Sequence, residues 1–211
     1  WCFNQGGWAD PAALVRATLA DANVRWLGAL PVHRLRAFDG GWHVLGADDR
    51  TLAEAPLVVL AAAHDALRLG GLPPHWTQRT RGQVSWLHDA PRRPALPIAS
   101  GGYALGLPDG RLLFGATQQA DDDDPAVREQ DHALNRRSLH QLCGIDIEAS
   151  SALQGRVAWR SITRDRLPLV GAAPNFDAPW PQRRDAPRLL PRRTGLFIHS
   201  ALGARGLTLA A

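Results

Sequence analysis

An arginine embedded in an apolar stretch has the most evident chemistry in this sequence. Arg160 follows Val157-Ala158-Trp159 and precedes Ser161-Ile162-Thr163-Arg164-Asp165-Arg166-Leu167-Pro168-Leu169-Val170-Gly171. A guanidinium cannot shed its charge, so in apolar surroundings it must meet an anion. Two partners are open: a ligand, or a buried pair with Asp165. Two histidines sit at the ends of apolar runs, His64 after Leu57–Ala61 and His199 within Leu196–His199. Such a histidine serves proton chemistry or, more commonly, plain structure. The segment Leu196–Thr208 reads as a strand, a glycine-bearing turn and an incipient helix, an arrangement that gathers free backbone N–H groups for an anion.

Other chemistries are poorly supported. All 24 basic residues are arginine, so a Walker A loop, a Schiff base and a lysine base are ruled out. The eight histidines form no HExxH or HxxxH spacing, there is no GxSxG elbow, and no GxGxxG occurs. No metal site is expected. Cys2 and Cys143 form no CxxC, which argues against a disulfide framework or a structural zinc and makes a reducing cytoplasm the expected location. No run approaches a membrane span. With no methionine, the sequence reads as a processed chain or a piece of a longer one.

Charge divides along the chain. Residues 156–211 hold 10 arginines against 3 acidic residues, whereas residues 1–155 hold 14 against 17. A basic final third suits a phosphate cofactor or RNA, and equally a chain that uses arginine for solubility.

The elements that must position these residues are legible in outline. Asp10-Pro11 reads as an N-cap and first helical residue, with a helix to about Ala22. Val32–Arg36 and Trp42–Leu45 read as strands around an Asp39-Gly40-Gly41 turn. Leu57–Ala61 reads as a strand buried on both faces. Tyr103–Leu107 and Arg111–Thr117 flank a Pro108-Asp109-Gly110 turn. The four acids Asp121–Asp124 precede a helix expected over Pro125–Cys143, stopped by Gly144, where they would favour its N-terminal dipole. Ala172–Arg193 reads as a loop-like excursion.

The order of motifs resembles a known family. GGWADP (Gly6–Pro11) is followed by LVVLAAAHDA (Leu57–Ala66), RGQVS (Arg81–Ser85) and GGYALGLPDGRLLFGAT (Gly101–Thr117). A stretch holding Gln130, His132 and Asn135 comes next, then GRVAWRSITRDRLPLVG (Gly155–Gly171) and GLFIHSALGARGLTLA (Gly195–Ala210). This is similar to the FAD-dependent amine oxidases of the D-amino-acid-oxidase superfamily. Within it, AAAHDA, RGQVS and ALGARGLT resemble the branch that acts on a modified wobble uridine of tRNA and shares its chain with a methyltransferase module.

The resemblance implies an α/β (α+β) fold: part of an FAD-binding domain over 1–75, an antiparallel-sheet substrate domain over 76–165, and a return segment of the FAD-binding domain over 166–211. The N-terminal Rossmann βαβ unit of the family is missing from this sequence. The resemblance further implies non-covalent FAD, and oxidation of a carboxymethylaminomethyl group on wobble uridine with loss of glyoxylate. The isolated chain is expected to be inactive and to bind FAD weakly or not at all. The alternatives are a flavin oxidase of free glycine- or sarcosine-like amino acids, and a non-catalytic fragment. Arg160 matches the arginine that holds a substrate carboxylate, and Tyr103 is expected to line the same pocket. Val32, Ala62, Ala63 and His64 match strand ends near the adenosine and pyrophosphate, with Ala63 standing where the family has glycine. Gly203, Ala204, Arg205, Gly206, Leu207 and Thr208 match the loop beside the flavin ring. The tRNA anticodon loop is the implied partner, with Arg183, Arg184, Arg188, Arg192 and Arg193 as expected phosphate contacts.

Overall fold

The computed structural model describes residues 2, 6–182 and 186–206. The chain forms two compact units, one of residues 1–23 and 80–159, the other of residues 24–79 and 160–211.

In the first unit, α1 (Pro11–Asp21) starts as expected: the Asp10 carboxylate accepts from the Ala12 and Ala13 N–H groups. The main sheet runs in the order β10 (Gln154–Thr163), β5 (Thr77–Leu87), β8 (Leu112–Gly115), β7 (Tyr103–Gly106), β6 (Ile98–Ala99), and β9 (Gln119–Ala120) also pairs with β5. Helix α3 (Glu129–Cys143) ends at Gly144, whose φ of +63° gives a left-handed cap. Ala104, Leu112, Phe114, Leu139 and Ile145 form this unit's core.

The helix α3 begins at Glu129 rather than at Pro125. The preceding acids do not serve its dipole. Asp122 and Asp124 instead fold back to grip the Arg128 guanidinium, at 2.6 and 2.7 Å. Two-point ion pairing of one arginine outcompetes a diffuse end effect.

The R-x-Q-x-S alternation in β5 turns Arg81, Gln83 and Ser85 to one face, and all three are fully buried. Opposite them α3 presents Asp131, His132 and Asn135, also buried. Arg81 Nη1 donates to Asp131 Oδ2 at 2.6 Å and to Gln119 Oε1 at 2.8 Å, and Arg81 Nε donates to Asp124 O at 2.7 Å. Asn135 Nδ2 donates to Ser85 Oγ at 2.8 Å, which leaves the serine proton for His132 Nδ1, also at 2.8 Å. Burial holds His132 below the usual imidazole pKa, which keeps Nδ1 an acceptor.

The second unit has two three-stranded sheets. One is an antiparallel meander of β1 (Arg34–Phe38), β2 (Gly41–Leu45) and β3 (Thr51–Ala55). The other has the order β11 (Leu169–Pro174), β12 (Arg192–Ser200), β4 (Val58–Leu60); β12 is antiparallel to β11 and parallel to β4. The short helix α2 (Asp65–Gly70) follows β4. Trp42, Leu60, Leu67, Leu72, Leu196 and Ile198 form the core.

Three sequence expectations change in this unit. The first strand begins at Arg34, so Val32 precedes it. Leu57 and Val59 are more than half exposed and only Leu60 is buried, because β4 is the edge strand and its core contacts lie on the Leu60 face. The expected excursion over Ala172–Arg193 is shorter, since β11 extends to Pro174 and β12 starts at Arg192.

Candidate functional site

The parallel pair β4–β12 places two chain segments side by side. Val59 is in register with Phe197 and Leu60 with Ile198, so Ala61–His64 and His199–Gly206 leave from the same carboxyl edge. In parallel α/β sheets that edge is where ligands bind. The two exits are tied together, Ser200 Oγ donating to Ala63 O at 2.5 Å. Ala63 and Ala201 both hold positive φ, +48° and +58°, and Gly203 holds +60°. Left-handed alanines are strained, and two of them meet at this edge. A glycine at position 63 would relieve the strain there.

Arg160 belongs to the same unit. The last residues of β10 bridge this loop: Ile162 pairs with Leu202, and the Gly203 N–H donates to Ser161 O at 3.1 Å. Arg160 Nη1 is buried and has no hydrogen-bond partner among the described residues, and the same holds for the adjacent Ser161 Oγ. The alternative pair with Asp165 does not form. The Asp165 carboxylate accepts from the Leu167 N–H at 3.0 Å. That bond holds its carboxyl below the usual range. An unpaired buried guanidinium nitrogen costs free energy unless an anion joins it.

The remaining expected residues are placed as follows. Val32 O accepts from Arg68 Nη2 at 3.3 Å, and the His33 carbonyl from Arg68 Nη1. Arg68 is itself paired with Asp65 at 2.7 Å, which lowers the Asp65 carboxyl. Ala62 and Ala63 are exposed at the edge. The His64 imidazole hydrogen-bonds Thr77 Oγ1 at 2.8 Å, and His199 is half-buried opposite Val170. Ala204 lies exposed in the turn, and the Arg205 guanidinium donates to the Arg166 carbonyl. Leu207 and Thr208 lie outside the described residues, as do Arg183 and Arg184. Tyr103 opens β7 in the other unit, in register with Gly115. Arg192 and Arg193 are strand residues with partners: Arg192 Nη1 donates to Ala172 O at 2.9 Å, and Arg193 pairs with Asp177 at 3.0 Å. Arg188 is exposed on the Pro187–Leu189 turn.

A cavity of about 300 Å³ opens elsewhere in this unit, lined by Trp76, Leu169, Trp180, Leu190, Arg192 and Ile198. It is apolar and does not include Arg160 or the Gly203 turn. Among the described residues no group of His, Cys, Asp or Glu is arranged to hold a metal, and no helix is long and apolar enough to cross a membrane.

The profile of the family described as FAD dependent oxidoreductase matches residues 1–211. The chain belongs to that family. Its relatives include the tRNA 5-methylaminomethyl-2-thiouridine biosynthesis bifunctional protein MnmC of Methylibium petroleiphilum, 44% identical over 227 residues, covering 100% of this chain and 35% of the relative. The protein of the same name from Burkholderia multivorans is 44% identical over 220 residues, covering 99% and 33%. The chain thus spans about a third of the length of these relatives. Among solved structures, glycine oxidase from Geobacillus kaustophilus superposes with a TM-score of 0.64 at 24% identity, over 85% of this chain and 44% of that one. Iminodiacetate oxidase from Chelativorans gives 0.65 at 23%, over 94% and 50%. The fold is therefore that of the FAD-dependent oxidases.

Membership makes FAD the expected cofactor, and the residues at the β4–β12 edge fit one flank of it. Two left-handed alanines and Gly203 turn backbone outward at a carboxyl edge, and a Cβ placed on Gly206 would meet nothing within 4 Å. The glycine-rich turn that cradles a dinucleotide pyrophosphate is not in this sequence.

Sequence reasoning missed Ser161 and Ala201. A buried hydroxyl without a partner and a left-handed alanine have no signature in residue type. The β5–α3 network did have one, the alternation of polar residues in RGQVS.

Proposed function

We propose that the protein is the oxidoreductase module of an enzyme that oxidises the carboxymethylaminomethyl group on the wobble uridine of tRNA. Glyoxylate is released and an aminomethyl group stays on the base. FAD, when bound, supplies the two-electron acceptor for this oxidation. Arg160 binds the substrate carboxylate, and its orphaned buried Nη1 is the observation that carries the reading. A charge-assisted bond from this guanidinium, carried by the strand whose Ile162 pairs with Leu202, fixes the carbon between nitrogen and carboxylate. Ala62, Ala63, His64 and the turn from Gly203 to Gly206 line the cofactor, and Val32 lies towards its adenosine end. The tRNA assignment is supported by 44% identity along the whole chain to proteins named for tRNA wobble-uridine biosynthesis. A methyltransferase module in the same polypeptide, and action in the cytoplasm, belong to this reading.

The test uses the intact enzyme containing this chain and tRNA carrying the carboxymethylaminomethyl group. Glyoxylate is expected in step with loss of the carboxymethyl mass from the nucleoside. Rapid oxidation of free sarcosine or glycine with the tRNA left unchanged would replace this reading by the free amino acid oxidase.

A further inference from the structure

Two of the five arginines expected to meet RNA phosphate are committed elsewhere, Arg192 to backbone carbonyls and Arg193 to Asp177. A different cation pair lies next to the Arg160 segment. Residues Thr163–Leu167 form a tight turn: the Arg166 N–H donates to Thr163 O at 3.1 Å, and Thr163 Oγ1 donates to Leu167 O at 2.6 Å. Its one acid, Asp165, is exposed and accepts from the Leu167 N–H at 3.0 Å. Arg166 holds a left-handed φ of +62°. Arg164 and Arg166 are exposed and form no ion pair or hydrogen bond through their guanidinium groups among the described residues. The turn is braced from the candidate site, because Arg205, two residues past Gly203, donates to the Arg166 carbonyl.

We propose that the Thr163–Leu167 turn is a phosphate-docking surface for the RNA substrate, with Arg164 and Arg166 making the contacts and Arg205 holding the turn in place. This rests on the proposed tRNA reading and deepens it. A polyanion is the partner that fits. Two exposed guanidinium groups stand on a braced backbone, so the order lost on binding is confined to their side chains, and the Asp165 carboxylate between them is partly neutralised by the Leu167 N–H. The turn is three to seven residues from Arg160, which would hold the carboxylate on the modified base. The contacts would therefore fall on nucleotides close to the wobble position. Phosphate contacts of this kind set register and do not read sequence.

The experiment measures tRNA affinity of the intact enzyme against salt, for wild type, Arg164→Gln/Arg166→Gln, and Arg36→Gln/Arg137→Gln, the last removing two exposed arginines outside the turn. Each single-strand phosphate contact contributes about 0.7 to the slope of log affinity against log salt, so the turn variant should lose about 1.4. Its kcat at saturating tRNA should match wild type while KM rises about tenfold. The control pair should keep the wild-type slope. An unchanged slope in the turn variant, or an equal loss in the control pair, overturns the docking surface and leaves the tRNA reading intact. Wild-type enzyme that converts no tRNA overturns the tRNA reading first, and the docking surface with it.

Discussion

Arg160 separates a functional from a structural role by the sign of its effect on stability. A structural arginine finds its counter-charge within the protein, as Arg81 does with Asp131, Arg136 with Glu129 and Arg193 with Asp177. Removing Arg81 leaves a buried partner charge and costs about 3–5 kcal/mol. Arg160 instead leaves Nη1 buried and unbonded. We expect Arg160→Met to hold or raise the thermal midpoint of the protein, because an apolar side chain of similar length carries no desolvation penalty. The same variant should lower kcat/KM of the intact enzyme by about 30-fold or more, the loss expected for one buried charge-assisted contact. Thermal unfolding and steady-state kinetics on the same preparation check both halves. A marked fall in midpoint with kinetics unaltered would make Arg160 a structural residue.

At the scale of elements, the stability of the first unit depends on how closely β10 approaches α3. A Cβ at Gly155 would lie 2.9 Å from His132 Cε1, 3.0 Å from Val127 Cγ1 and 3.1 Å from Val84 O. His132 cannot withdraw easily, because its Nδ1 is held by Ser85. Gly155→Ala should therefore destabilise by about 1–3 kcal/mol, the usual cost of overpacking a filled site. Chemical denaturation reads this directly. A change of sign would mean that the helix has room to shift. Gly155 stands in the motif used to recognise the family, and its requirement here is steric, independent of any cofactor.

For the whole molecule, acid should act in two stages. The folded pKa of His132 lies below its unfolded value of about 6.5, so the neutral imidazole is favoured by folding. Its contribution is complete above that pH and is lost progressively as pH falls from about 6.5 towards the folded value. The depressed carboxyls of Asp65, Asp122, Asp124 and Asp165 contribute only above about pH 4 and fail below it. Thermal midpoints between pH 7.5 and 5 should decline in the wild type and stay flatter in His132→Gln. Parallel profiles would show that His132 does not drive the first stage.

Local signals in the sequence determined a good part of this protein. The Asp10-Pro11 start of α1, the Pro108-Asp109-Gly110 turn and the Gly144 stop need no distant partner, because caps and turns are satisfied within a few residues. Arg160 was legible for the same kind of reason, since a permanent charge in an apolar run demands an anion wherever it folds. Its partner was not legible: Asp165 is near in sequence but spends its acceptors on its own turn, and only tertiary structure decides that competition. The acids at 121–124 show the same limit, since Arg128 claims Asp122 and Asp124 before any helix terminus can. Burial of Leu57 and Val59 depended on what lies against β4, which no pattern within the run encodes. The meeting of Ala63, Ala201 and Gly203 at one edge follows from parallel pairing between strands more than 130 residues apart, as the Ser200–Ala63 separation of 137 records. Long-range pairing is set by the whole chain's burial, and so the position of the candidate site was a tertiary decision.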